Sequence, residues 1–555
     1  MAMGRRISRR EFNRLAAATG AIALVPFGSA QSQVRFVSPP FQLGVASGDP
    51  SADGFVIWTR LAPEPFDPGY LGQTIFEVAW EVAEDSGFAR IAKHGAAWAR
   101  PHLAHAVHVV VDGLQPGREY FYRFRLGRYE SATGRALTCP APNAAPAALK
   151  FAFASCAHYE QGFFSAYRYM AGDRPDLILM LGDYIYEDAW GDRRVRQFDP
   201  LEAVTLADYR RRYTQYRSDP DLQAAHAACP WLLTWDDHEV DNDYVGLTSE
   251  HELCGGAAVR ESFPARRAAA YQAWFEHMPV RPSRLKPGMA VQIYGTVDWG
   301  TLARFYVLDT RQHRSVQVCP NLPTVARCDF EKGRKILFGG AGGASFIDPA
   351  EPACKAALAD STRTVLGAEQ ERWLDEALSG SAAAWNLLAQ NVMLMTVAEG
   401  TAESPRHYSD AWAGYPPARE RLLAALVKHG AANPVVLTGD IHSFWVNEIA
   451  NAAGRPVATE LVTSSIATST YDKSAVLPLN PGAKFHDGQH NGYVRCELGR
   501  AALRADIVAI DDRADPRSKR SVTATFEVLA GEPRVHRKAS DGIGLVPAEG
   551  VEPPT

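Results

Sequence analysis

Carboxylates, imidazoles, a thiol and a phenol that could together hold metal ions fall in four segments far apart in the chain: Ser155-Cys156, Asp183-Tyr-Ile-Tyr-Glu187, Asp236-Asp-His-Glu239 and Asp440-Ile-His442. Asp183 carries two oxygens on a short stem, enough to bridge two cations held about 3.5–4 Å apart. Tyr186 would be a hard anionic ligand for a trivalent ion, whose charge lowers a phenol pKa from about 10. Cys156, as a thiolate, suits a transition metal but not an ion that takes only oxygen ligands. The same thiol also fits the ordinary state of free cysteine, a small buried hydrophobe. The acids of Asp236-Asp237-His238-Glu239 repel one another unless a cation or protons neutralise them, so the segment is either a metal site, with Asp237 as ligand, or a solvated loop. His238 would then stand where it can protonate a leaving oxygen. Asp241, Asn242 and Asp243 extend the cluster, as ligands of a second hard ion or as a turn. Asp440 and His442 share one side of an extended chain and form a compact ligand pair.

Apolar runs lead into each segment: Leu149–Ala154, Leu177–Leu181, Trp231–Trp235 and Pro434–Leu437. If each is a buried strand, the polar residues sit at strand ends, where an open α/β sheet delivers ligands to a crevice. Further strand-like runs, Leu302–Leu308 and Trp385–Leu388, alternate with helical stretches at Gln161–Ala171, Ala265–His277 and Ala368–Ala377. That alternation predicts a long α/β body. Before it, short strands punctuated by Gly, Pro and Asp run from about residue 36 to 139, at the spacing of a small β-sandwich. Asp112-Gly-Leu-Gln-Pro-Gly-Arg-Glu-Tyr120 resembles the turn-then-tyrosine entry of fibronectin type III domains, which makes Tyr120 and Tyr122 structural. The Pro/Ala-rich stretch 140–147 reads as a linker, 148–530 as the catalytic body and 531–555 as a polar tail.

With 58 basic and 63 acidic residues among 555, the formal charge of −5 argues against nucleic acid as the main partner. Arg9 and Arg10, an apolar stretch from Leu15 to Phe27 and the small residues up to Ala30 resemble a twin-arginine export signal over residues 1–30. About 13 apolar residues do not span a hydrocarbon core that needs roughly 20. The expectation is therefore a cleaved signal, export of the folded protein by the twin-arginine (Tat) machinery, a periplasmic or secreted location and no stable membrane insertion. Eight cysteines suffice for one or two staples. Cys319 and Cys328, which bracket a short Pro-containing loop, are one candidate disulfide; Cys254 and Cys354 are another.

Together the four segments, with Leu308-Asp-Thr-Arg-Gln312 and the β-sandwich, resemble the PhoD-like alkaline phosphatases and phosphodiesterases, a branch of the calcineurin-like metallophosphoesterase fold, over about residues 36 to 530. The resemblance implies an α/β fold, a metallophosphoesterase β-sandwich core flanked by helices, behind a fibronectin III-like N-terminal domain. It implies iron (Fe3+) held by Cys156, Asp183, Tyr186 and His442, one or two calcium ions (Ca2+) near Asp183, Asp237 and Asp440, and a phosphate ester substrate. Asp236 joins the expected ligand set. So does Asn391, although the wider fold has a histidine near this region and the chain offers only Gln390 and Asn391. Arg311 and His313 would meet the substrate phosphate, since a guanidinium fork matches phosphate oxygens; equally, Arg311 could pair with Asp309 behind the site. His158 is a further phosphate neighbour, and Thr463-Ser-Ser465 lies near the metals or forms an ordinary loop. Hydrolysis of monoesters and diesters is the expected activity. Phospholipase D-like hydrolysis of lipid headgroups is the enzymatic alternative, and an exported calcium-dependent binding module the non-enzymatic one.

Overall fold

The structure, a computed structural model, describes residues 35–538 except 192, 250–256, 288–289 and 319–345. The export signal, Cys254, Cys319 and Cys328 lie outside the described residues. Cys354 is disulfide-bonded.

Seven parallel strands position the site: β1 (Ala148–Ala154), β2 (Leu177–Leu181), β3 (Pro230–Thr234), β4 (Ala303–Val307), β5 (Trp385–Ala389), β6 (Pro434–Thr438) and β7 (Pro456–Val462). The first three lie side by side in a ten-stranded sheet, the other four in a seven-stranded sheet. All are short and almost wholly apolar, the pattern of strands covered on both faces. Phe151 and Phe153 of β1 and Leu179 of β2 meet Phe305 of β4, Leu387 of β5 and Leu437 of β6 in one buried cluster between the sheets, with the Phe151 and Phe305 rings edge to face at 5.6 Å. Alternation sends Tyr306, Leu388 and Val436 to the outer face of the second sheet, where helices Gly367–Ser379 and Pro416–Lys428 cover them. The result is an α/β sandwich of two sheets with helices outside.

The N-terminal strands form two layers. Ile91–Ala99, Phe76–Ala83, Glu119–Leu126 and Tyr129–Glu130 make a separate sheet, whereas Val45–Ser51, Gly54–Arg60 and Ala106–Asp112 continue the ten-stranded sheet beyond β3. Val45–Ser51 pairs with β3 in parallel. Tyr120 is buried and its hydroxyl accepts from Gln115 N at 3.0 Å. At the other edge Val535–Arg537 pairs with Arg520–Leu529, so the sheet runs past residue 530, where the tail was expected to begin.

Candidate metal centre

Each ligand segment leaves its strand through a sharp turn. Cys156, Asp183, Asp440 and His442 all have left-handed backbone, with φ of 60°, 53°, 66° and 54°. For residues other than glycine such conformations cost about 1–3 kcal/mol and persist only where the surroundings impose them. Two glycines let the exits touch. At Gly182 (φ 95°) a Cβ would lie 2.5 Å from Asp236 Cβ, and at Gly439 2.6 Å from Ser155 Cβ.

Among the described residues two groups of possible ligands emerge, each with its ligand atoms within 4.8 Å of one another: Cys156, Asp183 and His442, and Asp183, Asp237 and His238. Asp183 belongs to both. The Tyr186 hydroxyl joins the first group, donating to Asp183 Oδ2 at 3.1 Å and standing 3.1 Å from His442 Nε2. Asp440 is half-buried, and its carbonyl lies 3.8 Å from Cys156 Sγ. Burial, with repulsion from Asp236 and Asp237, pushes its carboxyl well above the usual range.

The donor set fits cations. Asp183 Oδ1, Asp237 Oδ1 and His442 Nδ1 are buried with no hydrogen-bond partner. Burial pushes the Asp183 carboxyl well up against the pull of protonated His238, and it pushes the Cys156 thiol and Tyr186 phenol well up with Asp183 adding to both. Without a cation, then, these groups keep their protons; a cation is what would ionise them. The first group offers thiol, imidazole, phenol and carboxylate, the second mainly hard carboxylate oxygens.

His238 is half-buried, and its Nδ1 lies 2.7 Å from Glu187 Oε2. Burial draws its pKa down, but Glu187, Asp237 and Asp183 outweigh it and hold the imidazolium well above the ordinary range. The other oxygen of Glu187 accepts from Asn242 N at 3.0 Å, so this acid fixes both the imidazole and the turn beyond it. Asp243 N donates to Asp237 Oδ2 at 2.7 Å, which makes Asp241–Asp243 at least a turn that orients Asp237.

Several expected site residues take other roles. Arg311 is fully buried and ion-paired to Asp236 and, at 2.7 Å, to Asp410, with Asp237 at 3.6 Å. It neutralises acids behind the site and is not a free phosphate clamp. Its expected partner Asp309 instead caps the turn, accepting from Arg311 N and Gln312 N at 3.0 Å. Asp236 pairs with Arg311 through Oδ1, keeps Oδ2 buried without a hydrogen-bond partner, and stands outside the two ligand groups. Asn391 donates to Leu181 O and Trp235 O at 3.0 and 2.8 Å and accepts from Thr310 Oγ1 at 2.7 Å, so its amide ties strand ends together and points its hydrogen-bonding groups at backbone and Thr310. His313 is exposed beside Gly367 and Tyr294 and does not join the buried cluster. His158 is buried against the Tyr186 ring, centroids 4.5 Å apart. Ser465 bridges Ser155 at the end of β1.

Asp410, which also binds Arg314 at 2.7 Å, gave no sequence signal. Glu187 and Glu239 lay inside the motifs without an assigned task. The Trp190 and Tyr471 rings lie nearly parallel to that of His442, centroids 6.1 and 5.4 Å away, from loops that no strand pattern marks.

A cluster of this kind at the carboxyl ends of parallel strands in a two-sheet α/β sandwich belongs to the phosphoesterase class, and the comparisons with known proteins agree. The chain belongs to the PhoD-like phosphatase family: residues 151–507 match that family, and residues 28–140 match the N-terminal domain of PhoD-like phosphatases. It is 41% identical over 507 residues to alkaline phosphatase D of Bacillus subtilis (strain 168), a match covering 89% of this chain and 81% of that protein. A solved structure described as "Structure of PhoD" superposes with a TM-score of 0.82 at 38% identity, covering 91% of this chain and 94% of its own. The protein is therefore an enzyme, a phosphoesterase, and the binding-module reading falls away. No helix among the described residues is long and apolar enough to cross a membrane.

Proposed function

We propose that this protein is an exported, metal-dependent alkaline phosphatase acting on phosphate monoesters and diesters, with iron held by Cys156, Asp183, Tyr186 and His442 and calcium by Asp183, Asp237 and Asp440. The observation that carries the proposal is the membership of Asp183 in both ligand groups, the arrangement a two-cation site needs. When bound, such cations would lower the pKa of a nucleophilic water and neutralise phosphoryl oxygens. The chain supplies the rest. The turns at Asp183 and Asp440 fix the carboxylates at the strand ends. Arg311 offsets the acids behind them. His238, oriented by Glu187, holds a proton to give to the leaving alkoxide.

Export is supported by the paired arginines and short apolar stretch of residues 1–30, and by the disulfide at Cys354, a bond that persists in oxidising compartments. Elemental analysis of natively purified protein, with rates on a simple phosphate monoester, a simple diester and phosphatidylcholine, tests the assignment. Iron and calcium with hydrolysis of the simple esters are expected. Zinc alone would overturn the metals, and preference for the lipid would move the activity to headgroup hydrolysis.

A further inference from the structure

Glu239 and Asn391 grip the same two strand exits through complementary groups. The Glu239 carboxylate, 1% exposed, accepts from three backbone N–H groups: Asp183 N at 3.1 Å and Tyr184 N at 2.6 Å beyond β2, and Asp236 N at 2.8 Å beyond β3. Asn391, from the end of β5, donates through one amide nitrogen to Leu181 O and Trp235 O, the carbonyls on those same two exits. One side chain thus takes the N–H groups and the other the carbonyls. Between them Gly182 brings the two turns so close that a Cβ there would sit 2.7 Å from Asp236 N.

We propose that Glu239 and Asn391 are positioning residues that set the separation of the Asp183 and Asp237 carboxylates, and through it cation affinity, while touching neither cation nor substrate. The proposal rests on the metal-dependent reading above. Asp183 is strained (φ 53°) and its unpartnered Oδ1 faces other acids, so the turn would relax if nothing held it. Hydrogen bonds from backbone N–H to a carboxylate are the stronger kind, and three of them on one group are enough to hold such a turn. Both Glu239 oxygens are engaged in this way, and Glu239 belongs to neither ligand group. The supporting side chains come from different elements, one five residues beyond β3 and the other just past the end of β5, so the two sheets of the sandwich jointly hold the pair of turns.

Glu239→Gln tests this. Its amide has one acceptor oxygen and turns an NH2 toward a backbone donor, so at least one turn is released. Chelator-treated full-length wild type and variant are titrated with calcium chloride by calorimetry, folding is checked by circular dichroism, and kcat and KM are measured on a simple phosphate ester after reloading. Calcium affinity is expected to fall about 10–100-fold and kcat by a similar factor, with KM within about threefold and the folded spectrum retained, the size of effect seen when groups behind metal ligands are removed. Asn391→Ser, which removes the grip on the carbonyls, is expected to shift affinity and kcat in the same direction and carries the test if Glu239→Gln does not fold. Wild-type calcium affinity and kcat in the variants would overturn the proposal while leaving the metal assignment standing. Wild-type protein that binds no calcium would overturn both.

Discussion

Replacing Asp183 by Asn gives two effects of opposite sign that a merely structural residue would not combine. Asp183 is 2% exposed and shares both ligand groups, so the change weakens both at once. Asn keeps the shape and an acceptor for the Tyr186 hydroxyl, so the turn survives. Losing the bridge forfeits several kcal/mol of transition-state charge stabilisation; about 4 kcal/mol is about a thousandfold in kcat/KM. In the cation-free protein the sign reverses. The native carboxyl is held well above its usual pKa by burial and by Asp237, Asp236 and Glu239, so at neutral pH folding must return to Asp183 a proton that the unfolded chain has released; Asn removes that cost and raises stability, on the order of 1 kcal/mol. Steady-state kinetics of the metal-loaded enzyme and thermal unfolding in chelator read the two effects separately. A variant whose chelated form melts below wild type refutes the charge argument, and one that keeps activity within about tenfold refutes the bridging role.

Chelated wild type should lose stability as pH rises from about 4 to 8, because carboxyls raised in the fold bind protons that the unfolded chain has released. Burial, with Asp237 adding, pushes Asp236 up to about 7. Saturating calcium should flatten that slope, and unfolding at several pH values measures both. Cys156→Ser should purify with less iron and unchanged calcium, read by elemental analysis, because it removes the soft donor and leaves the hard ones. Arg311→Ala should cost about 3–5 kcal/mol in denaturant unfolding, the penalty of leaving buried Asp236 without its ion-pair partner. His313→Ala, at an exposed position, should stay within about 0.5 kcal/mol of wild type and keep its kcat.

The positions of the ligands were legible because burial on both faces writes strands as unbroken apolar runs. Leu177–Leu181 was expected and found with identical bounds, and the runs expected at Trp231–Trp235 and Pro434–Leu437 fold as Pro230–Thr234 and Pro434–Thr438. The helix expected at Gln161–Ala171 begins only at Ser165, because the Gln161 side chain is spent on the Thr468–Ser469 turn and the Trp190 carbonyl. What sequence left open was the use of each polar group within a motif. Asp236 and Asp237 are adjacent and identical in type, yet Asp236 is held by Arg311 from a distant loop while Asp237 stands with Asp183 and His238 in a ligand group. Asn391 sits where a ligand was expected, and only the carbonyls of two other strand ends reveal that its amide is occupied. Such assignments depend on partners dozens or hundreds of residues away, which no local pattern records.

The N-terminal layer enters the site by the same logic. β3, which carries Asp236 and Asp237, is an interior strand because Val45–Ser51 pairs along its free side. That pairing is anchored at several points. Trp58 Nε1 donates to Glu276 O at 3.0 Å, Arg60 to Thr214 Oγ1 at 2.9 Å, and Arg284 binds both oxygens of Asp49 at 2.7 Å. Helix Ala257–His277, which receives Trp58, also stacks Tyr271 on Trp235 at 4.1 Å, directly before the acidic turn. The N-terminal strands therefore do more than sit beside a self-sufficient catalytic body. They complete the sheet that holds the acidic turn, and they brace the helix that packs on its last aromatic residue. The sheet of the catalytic body thus extends across the Pro/Ala-rich stretch into the first layer of the chain.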